Sequence, residues 1–309
     1  MKKIVITEFM DLPAVESLRK QFNVVYDPKL VDDEARLLTE VVNADAIVVR
    51  NRTQVRGALL DACKKAVVLG RLGVGLDNID VAACEARGMK VIPATGANSV
   101  AVAEYVVGTC MMLLRGVYQS GNEVASGAWP RGQLSNGRET AGKTLGLIGF
   151  GGIGRLTARL AQNLGMQVVA YDPMLRDDDK VWTLTGVKNA SLNDLLAQSD
   201  AVSLHVPLTP ETKNLLSAER IASMKKGAIV INSARGGIAD EGAIAAAIKS
   251  GALGGAAFDV FDPEPLGADN PWIGCPNVIL TPHVAGVTAE ANTRVSTMIA
   301  AEVASVVGA

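Results

Sequence analysis

Residues 144–154 read Thr144-Leu145-Gly146-Leu147-Ile148-Gly149-Phe150-Gly151-Gly152-Ile153-Gly154, an apolar, strand-like run that passes directly into a glycine-rich turn. The first glycine of the turn, Gly149, permits a tight change from strand to helix, and the second, Gly151, lets the backbone approach a pyrophosphate. The third, Gly154, lets the following helix pack closely on the sheet. The N-terminus of that helix offers free N–H groups and the positive end of its dipole to phosphate groups.

The segments after this turn fit a βαβ unit. Alanine and leucine recur at helical spacing up to Leu164, and a second apolar run, Met166–Tyr171, is followed by Asp172. A carboxylate about 20 residues after the turn can bind the ribose hydroxyls of a dinucleotide. The pattern predicts dinucleotide binding; the alternative is an ordinary strand-to-helix turn that needs glycine for packing alone. NAD is favoured over NADP because Asp172 would repel a 2′-phosphate and no basic residue stands at 173–175.

Composition limits the class of protein. The chain has 309 residues, enough for about two domains, and 49% of them are hydrophobic. A net charge of −2 gives no electrostatic reason to expect a nucleic acid or an anionic membrane as partner. No apolar run reaches spanning length and no leader segment opens the chain, so we expect a cytoplasmic protein. Four scattered cysteines without C-x-x-C spacing indicate reduced thiols, and two histidines are too few to favour a metal site.

Short apolar strands alternate with helical segments along the chain, which predicts an α/β fold of two doubly wound parallel-sheet domains. The dinucleotide motif begins only near residue 144, and one helix, Thr288–Val307, follows the last strand. The simplest layout therefore inserts a Rossmann cofactor domain, 98–286, into a flavodoxin-like substrate domain, 1–97 plus 287–309. A long helix from Asn98 to about Val124 opens the inserted domain, and its many apolar residues favour burial in a subunit interface.

Three titratable or charged residues, Arg235, Glu264 and His283, each follow a predicted strand of the second domain. The carboxyl ends of parallel strands share one edge of a sheet, so the three can meet in one cleft. Reduction of a ketone needs a proton donor, which a histidine supplies, and a neighbouring carboxylate orients that ring. A guanidinium binds a substrate carboxylate and polarises the adjacent carbonyl. The alternatives are a surface ion pair for Arg235, a solvated acid for Glu264 and a packed loop histidine for His283. A direct role is not favoured for His205, which ends an earlier strand.

Across nearly its whole length the chain resembles the D-isomer-specific 2-hydroxyacid dehydrogenases, in the branch of D-3-phosphoglycerate dehydrogenase. The motifs that carry the resemblance are Gly73-Val74-Gly75-Leu76-Asp77-Asn78-Ile79-Asp80, Val102-Ala103-Glu104, Gly149–Gly154, Asn232–Gly237, Asp259-Val260-Phe261 and Pro282-His283. The resemblance implies NAD-dependent dehydrogenase or 2-oxoacid reductase activity, with Arg235, Glu264 and His283 as catalytic residues. It also implies a homodimer joined through the cofactor domain. Where relatives often have Arg or Lys this chain has Gly152, and it ends without the C-terminal regulatory domains of some relatives, so regulation by serine is not expected.

The resemblance also implies a set of ligand contacts. The cofactor contacts fall on Val74, Val102, Gly149, Gly151, Gly152, Ile153, Gly154, Asp172, Val206, Ser233, Ala234, Asp259, His283 and Gly286. The substrate carboxylate meets the backbone at Val74 and Gly75 as well as Arg235, and Arg50 and Asn51 lie near the far end of the substrate.

Several arginines near one cleft favour a 2-hydroxy acid with a second anionic group. Arg71 and Arg131 are further candidates near the cleft, whereas Arg52 and Arg131 are equally well explained as surface residues paired with acids. The candidate substrates are 3-phosphoglycerate and sulfolactate, with glyoxylate and hydroxypyruvate as others. A nonenzymatic alternative is an NAD(H)-sensing corepressor or scaffold on the same fold. A formate dehydrogenase is disfavoured, because formate oxidation needs no proton-donating His–Glu pair.

Overall fold

The computed structural model describes residues 1–308, which divide into two compact units. The first unit comprises Met1–Asn98 and the chain from Val287 onward, and the second comprises Ser99–Gly286. Both units are parallel-sheet α/β structures, as the alternation of strands and helices predicts. Within residues 1–308, none of the helices combines the length and the apolar character that a membrane span requires.

The first unit contains a five-stranded parallel sheet in the order β2-β1-β3-β4-β5. Its strands are β1 (Lys3–Ile6), β2 (Asn23–Tyr26), β3 (Ala46–Val49), β4 (Val68–Arg71) and β5 (Lys90–Pro93). Its helices are α1 (Leu12–Arg19), α2 (Glu34–Val41), α3 (Gly57–Ala62), α4 (Val81–Ala86) and, at the C-terminus, α12 (Ala289–Gly308). The strand order reverses between β1 and β3, and ligands of such sheets bind beyond the carboxyl ends of the strands at this point.

The C-terminal helix α12 packs on the sheet of the first unit. Ile299 and Val303 of α12 are fully buried in one core with Ile4 and Val48 of the sheet. A Cβ atom at Gly70 of β4 would lie 2.7 Å from Ile299 and 2.8 Å from Val303. Glycine at this position therefore lets the helix approach the strand closely enough to bury its apolar side.

The second unit contains a seven-stranded parallel sheet in the order β12-β11-β10-β9-β6-β7-β8. Its strands are β6 (Thr144–Ile148), β7 (Gln167–Tyr171), β8 (Lys188–Asn189), β9 (Ala201–Leu204), β10 (Ile229–Asn232), β11 (Gly255–Phe258) and β12 (Val278–Leu280). Its helices are α5 (Ser99–Arg115), α6 (Gly121–Ala125), α7 (Gly152–Asn163), α8 (Lys180–Thr185), α9 (Leu192–Gln198), α10 (Ala218–Ala222) and α11 (Glu241–Lys249). Two separate apolar cores, one with α5 and α7 and the other with α9 and α11, enclose the sheet. Here the strand order reverses between β6 and β9.

In each sheet, a buried and ion-paired aspartate holds the backbone at the start of the first strand. Buried Asp45 accepts the backbone N–H of Lys3 at 2.6 Å and forms an ion pair with Lys65. Buried Asp200 likewise accepts the N–H of Thr144 at 3.0 Å and pairs with Lys225. Burial alone would raise the pKa of each carboxyl group, but the N–H donor and the lysine together hold both pKa values below the usual range.

The helix predicted from Asn98 to about Val124 is interrupted in the structure. Gly116 adopts a φ of +68°, a left-handed conformation that ends α5 at Arg115. A separate short helix, α6, follows at Gly121–Ala125. The prediction of one continuous helix was wrong because apolar residues continue beyond the glycine that stops the helix.

Candidate active site

The glycine-rich turn after β6 has the geometry that a dinucleotide requires. Gly149 has a φ of +96°, and a Cβ atom there would lie 2.6 Å from the carbonyl oxygen of His205. A Cβ atom at Gly154 would lie 2.5 Å from the carbonyl oxygen of Gly149, so this glycine lets α7 close on the turn. Gly151 and Gly152, by contrast, face open space, with no atom within 4 Å of such a Cβ. The turn thus leaves room for a ligand at its second glycine.

Groups suited to bind phosphate and ribose lie at the turn, and an unsatisfied hydroxyl group follows β10. Helix α7 begins at Gly152, and the residue that precedes it, Gly151, provides no side-chain cap for the first-turn N–H groups. Asp172 accepts the N–H of Phe150 at 2.8 Å, which holds the carboxylate against the turn. The buried hydroxyl oxygen of Ser233 has no hydrogen-bond partner within residues 1–308. An open cradle and an unsatisfied polar atom fit a bound dinucleotide.

The backbone of the loop that carries Arg235 is held by the side chain of Asn232. Asn232, which is 1% exposed, donates through its side-chain amide to the carbonyl of Arg235 at 2.9 Å and accepts the N–H of Ala234 at 3.1 Å. A Cβ atom at Gly236 would lie 2.0 Å from the carbonyl oxygen of Phe261. Glycine at 236 therefore brings the Arg235 loop directly against the segment that leads to Glu264.

His283 and Glu264 form a direct pair. The Nδ1 atom of His283 lies 2.8 Å from Oε2 of Glu264, while Oε1 of Glu264 accepts the N–H of Phe261 at 3.0 Å. Both side chains of the pair remain accessible, with 49% exposure for His283 and 37% for Glu264. Because Glu264 occupies Nδ1, the other ring nitrogen, Nε2, is the atom left to exchange a proton with a ligand.

Asp259 is turned into the protein at the base of the His283 loop. It is 1% exposed, and its two carboxylate oxygens accept the N–H groups of Val284 and Ala285, each at 2.8 Å. Its backbone carbonyl accepts the N–H of His283, also at 2.8 Å. The structure therefore shows Asp259 as an anchor of this loop, and its contact with a cofactor stays a prediction.

The other predicted cofactor residues occupy different surroundings. Val102 lies on α5 and is buried in the core that this helix forms with α7. Partly exposed positions are Ile153, Val206, Ala234 and Gly286. His205, the residue not favoured for a direct role, bonds to the buried hydroxyl of Ser203 at 3.0 Å, and burial lowers its pKa to about 4. The ring is therefore neutral near pH 7.

Arg50 and Asn51, together with Val74 and Gly75, belong to the first unit. Asn51 is exposed, and Val74 and Gly75 are partly exposed in the loop after β4. Arg50 is held on two sides: its Nη2 donates to Asn292 at 3.0 Å, and its guanidinium lies 5.6 Å from the ring centre of Phe9. Burial lowers the pKa of Arg50, although the charge of Glu8 acts in the opposite direction.

The other three arginines considered above differ in their contacts. Arg52 forms an exposed ion pair with Asp32, which fits the surface explanation for this residue. The guanidinium of Arg71 donates to the carbonyl of Leu72 at 2.8 Å and lies against Gly73. Arg131 is exposed and lines a depression beside Arg115.

Sequence reasoning missed two residues that hold the Arg50 loop. Glu8, which is 4% exposed, accepts the backbone N–H groups of Arg50 at 2.9 Å, Arg52 at 3.1 Å and Thr53 at 3.0 Å. Asn78 donates to the carbonyls of Arg50 at 3.1 Å and Thr53 at 2.7 Å. Glu8 follows β1 just as Arg50 follows β3, so its position at the end of a strand was the signal available in the sequence.

Comparisons with known proteins agree with this geometry. The family model described as "D-isomer specific 2-hydroxyacid dehydrogenase, NAD binding domain" matches residues 107–285. An (S)-sulfolactate dehydrogenase from Chromohalobacter salexigens is 51% identical over 96% of this chain and 95% of its own length. A D-3-phosphoglycerate dehydrogenase from Archaeoglobus fulgidus is 38% identical over 97% of this chain, which spans only 56% of that relative.

A solved structure has the same architecture. The crystal structure of a glyoxylate reductase from Paecilomyes thermophila matches with a TM-score of 0.86 and 27% identity, covering 99% of this chain and 95% of its own. The family model covers more than half of the chain and describes an NAD-binding domain. The turn around Gly149 has the shape that a dinucleotide requires. The chain therefore belongs to the D-isomer-specific 2-hydroxyacid dehydrogenases and carries their NAD-binding domain.

Proposed function

We propose that this dehydrogenase interconverts a 2-oxo acid and the corresponding 2-hydroxy acid, with His283 as the proton donor and acceptor. The observation that carries the proposal is the 2.8 Å contact between His283 Nδ1 and Glu264 Oε2, because it orients an imidazole at an accessible edge of the sheet. NADH, when bound, supplies the hydride. The substrate, a small 2-oxo or 2-hydroxy acid, is the only small-molecule partner proposed besides NAD.

Each member of the catalytic group has a distinct task in this proposal. His283 donates a proton from Nε2 to the substrate oxygen during reduction and removes it during oxidation. Glu264 keeps the ring in the required orientation and stabilises its positive charge. Arg235 binds the substrate carboxylate through its guanidinium and polarises the neighbouring carbonyl. Backbone N–H groups at Val74 and Gly75 are proposed to bind that same carboxylate.

The substrate proposed here carries a second anionic group, and a sulfonate is the favoured one. Arg50 is held by Asn292 and Phe9 in a fixed position, as a residue that binds an anionic tail would be. Asn51 is proposed to contribute at the same place. The 51% identical relative is named for sulfolactate, and the 38% identical relative for phosphoglycerate. Both names describe 2-hydroxy acids with a charged group at the far end.

The cofactor is proposed to contact the turn, the strand ends and the His283 loop. The residues assigned to it are Val74, Val102, Gly149, Gly151, Gly152, Ile153, Gly154, Asp172, Val206, Ser233, Ala234, Asp259, His283 and Gly286. The cradle at Gly151 and Gly152 and the buried hydroxyl of Ser233 are the observations that support this set.

A homodimer joined through the cofactor domain is part of the proposal. Large apolar side chains on α5 and on the segment after it are exposed: Met111 (40%), Met112 (38%), Tyr118 (62%), Val124 (44%) and Trp129 (78%). Such a group of side chains is typical of a protein–protein interface. A cytoplasmic location is proposed because the four cysteines are free thiols, three of them buried, as is typical of proteins in a reducing compartment.

The loss of NADH absorbance against a panel of 2-oxo acids tests the function. The panel contains sulfopyruvate, phosphohydroxypyruvate, hydroxypyruvate, glyoxylate and pyruvate. We expect turnover with the acids that carry a second anionic group at kcat/KM values at least tenfold above those for pyruvate. Binding of NADH without turnover of any acid would overturn the proposal and favour a sensor of the cofactor.

A further inference from the structure

We propose that Thr281 and Tyr105 are positioning residues for His283, which they influence through Asp259. The inference rests on the proposed function, since it explains how the proton donor of that site is held. Tyr105 lies on α5, Asp259 follows β11 and Thr281 follows β12, so three separate elements of the second unit contribute.

His283 stands in a backbone conformation that needs support. Its φ of +56° lies in the left-handed region, which a residue with a Cβ atom seldom adopts without compensation. The compensation comes from Asp259, whose carbonyl accepts the N–H of His283 and whose carboxylate accepts the next two N–H groups of the loop. The direction in which the imidazole points therefore depends on where the Asp259 carboxylate is held.

A chain of hydroxyl groups holds that carboxylate. The Thr281 hydroxyl donates to Oδ1 of Asp259 at 2.6 Å, and the Tyr105 hydroxyl lies 2.8 Å from the Thr281 oxygen. Because the single hydroxyl hydrogen of Thr281 is directed at Asp259, the Tyr105 hydroxyl must be the donor to Thr281. Burial raises the pKa of Tyr105 to about 12, so this donor keeps its proton throughout the physiological range.

The arrangement links helix α5 to the reacting histidine. A hydrogen bond to a charged acceptor is stronger than one between neutral groups, and loss of the Thr281 bond removes one of the contacts that hold the Asp259 carboxylate in place. A small displacement of a proton donor lowers the rate of reaction much more than it lowers the affinity for cofactor. Thr281 and Tyr105 should therefore affect kcat while leaving the binding of NADH nearly unchanged.

Three isosteric or conservative variants of the 309-residue chain test the inference. Thr281→Val replaces the hydroxyl group by a methyl group, Tyr105→Phe removes the outer donor, and Thr281→Ser keeps the hydroxyl. We expect kcat to fall about tenfold in Thr281→Val and about threefold in Tyr105→Phe, with the Kd for NADH within about twofold of wild type. Thr281→Ser should retain most of the wild-type kcat.

Thr109→Val is the matched control. Thr109 is a buried threonine on the same helix, but among residues 1–308 its hydroxyl bonds only to the carbonyls of Tyr105 and Val106 within that helix. Wild-type kcat in Thr281→Val, or an equal loss of kcat in Thr109→Val, would overturn the inference. If Thr281→Val does not fold, Tyr105→Phe decides: unchanged kcat in that variant would also overturn it. Full activity in His283→Asn, in contrast, would identify the proposed function itself as the part that fails.

Discussion

The Nδ1 atom of His283 and the Oε2 atom of Glu264 lie 2.8 Å apart, although the two residues are 19 positions apart in the chain. The separation in sequence is bridged because the segments after β11 and β12, two neighbouring strands, lie at the same edge of the sheet. The pair leaves Nε2 of the ring as the nitrogen available to a substrate. These contacts support the roles proposed for both residues.

Replacement of His283 by asparagine should nearly abolish turnover. Asparagine retains a hydrogen-bonding side chain and tolerates a positive φ, but it cannot transfer a proton. We expect kcat to fall by about 10²–10⁴-fold while the Kd for NADH stays close to the wild-type value. Steady-state kinetics together with NADH fluorescence titration measure the two quantities separately. A retained kcat would mean that another group supplies the proton.

Replacement of Arg50 by alanine should weaken the binding of doubly anionic acids selectively. The loss of a charged hydrogen bond is worth about 1.5–3 kcal/mol, which corresponds to a rise in KM of about 10- to 150-fold. The KM values of acids without the second anionic group, such as glyoxylate, should change little. KM values for sulfopyruvate and glyoxylate are compared in the variant and in wild type.

Arg52→Ala is the control for the Arg50 prediction, because the side chain of Arg52 forms its ion pair with Asp32 at the surface. Its kinetic constants should stay near those of wild type. Equal losses for both classes of acid in Arg50→Ala would argue that Arg50 supports the fold of its loop and does not bind a second anionic group.

Replacement of Asp172 by asparagine should reduce the preference for NADH over NADPH. The amide keeps an oxygen that can accept the N–H of Phe150, so the turn should remain intact. The change removes the negative charge that would repel a 2′-phosphate and weakens the hydrogen bonds to the ribose. We expect the ratio of the KM values for NADPH and NADH to fall about tenfold. An unchanged ratio would place the choice of cofactor elsewhere.

The stability of the second unit should depend on pH through His205. Its pKa is about 4 in the folded protein, below the usual value near 6.5 in an unfolded chain. The folded state is therefore favoured above pH 6.5, and that stabilisation is lost as the pH falls from 6.5 towards 4. The free energy of unfolding falls by at most about 3 kcal/mol through this group.

Scanning calorimetry of wild type and His205→Gln at pH 7.5 and pH 5 checks this dependence. We expect the difference in Tm between the two pH values to be smaller in the variant, because glutamine takes up no proton in this range. Equal differences in the two proteins would mean that His205 is not the group responsible.

The sequence by itself determined the class of fold and the dinucleotide turn, and it predicted the residues that are proposed to react. Local rules suffice for these features: Gly149 and Gly154 are required by conformation and close approach, and alternating strands and helices lead to parallel sheets. The ends of the strands then indicated Arg235, Glu264 and His283 as neighbours. These signals reside within short segments, so no knowledge of distant contacts is needed to read them.

Only the tertiary structure decided how these residues are held. Glu8 binds the Arg50 loop from 42 residues away, and Tyr105 reaches Thr281 across 176 residues. Hydrogen bonds of this kind depend on which strands become neighbours and how closely the helices pack on them, and no local pattern encodes those distances. For the same reason the sequence did not reveal that both carboxylate oxygens of Asp259 hold the loop of His283, and its contact with the cofactor stays a prediction.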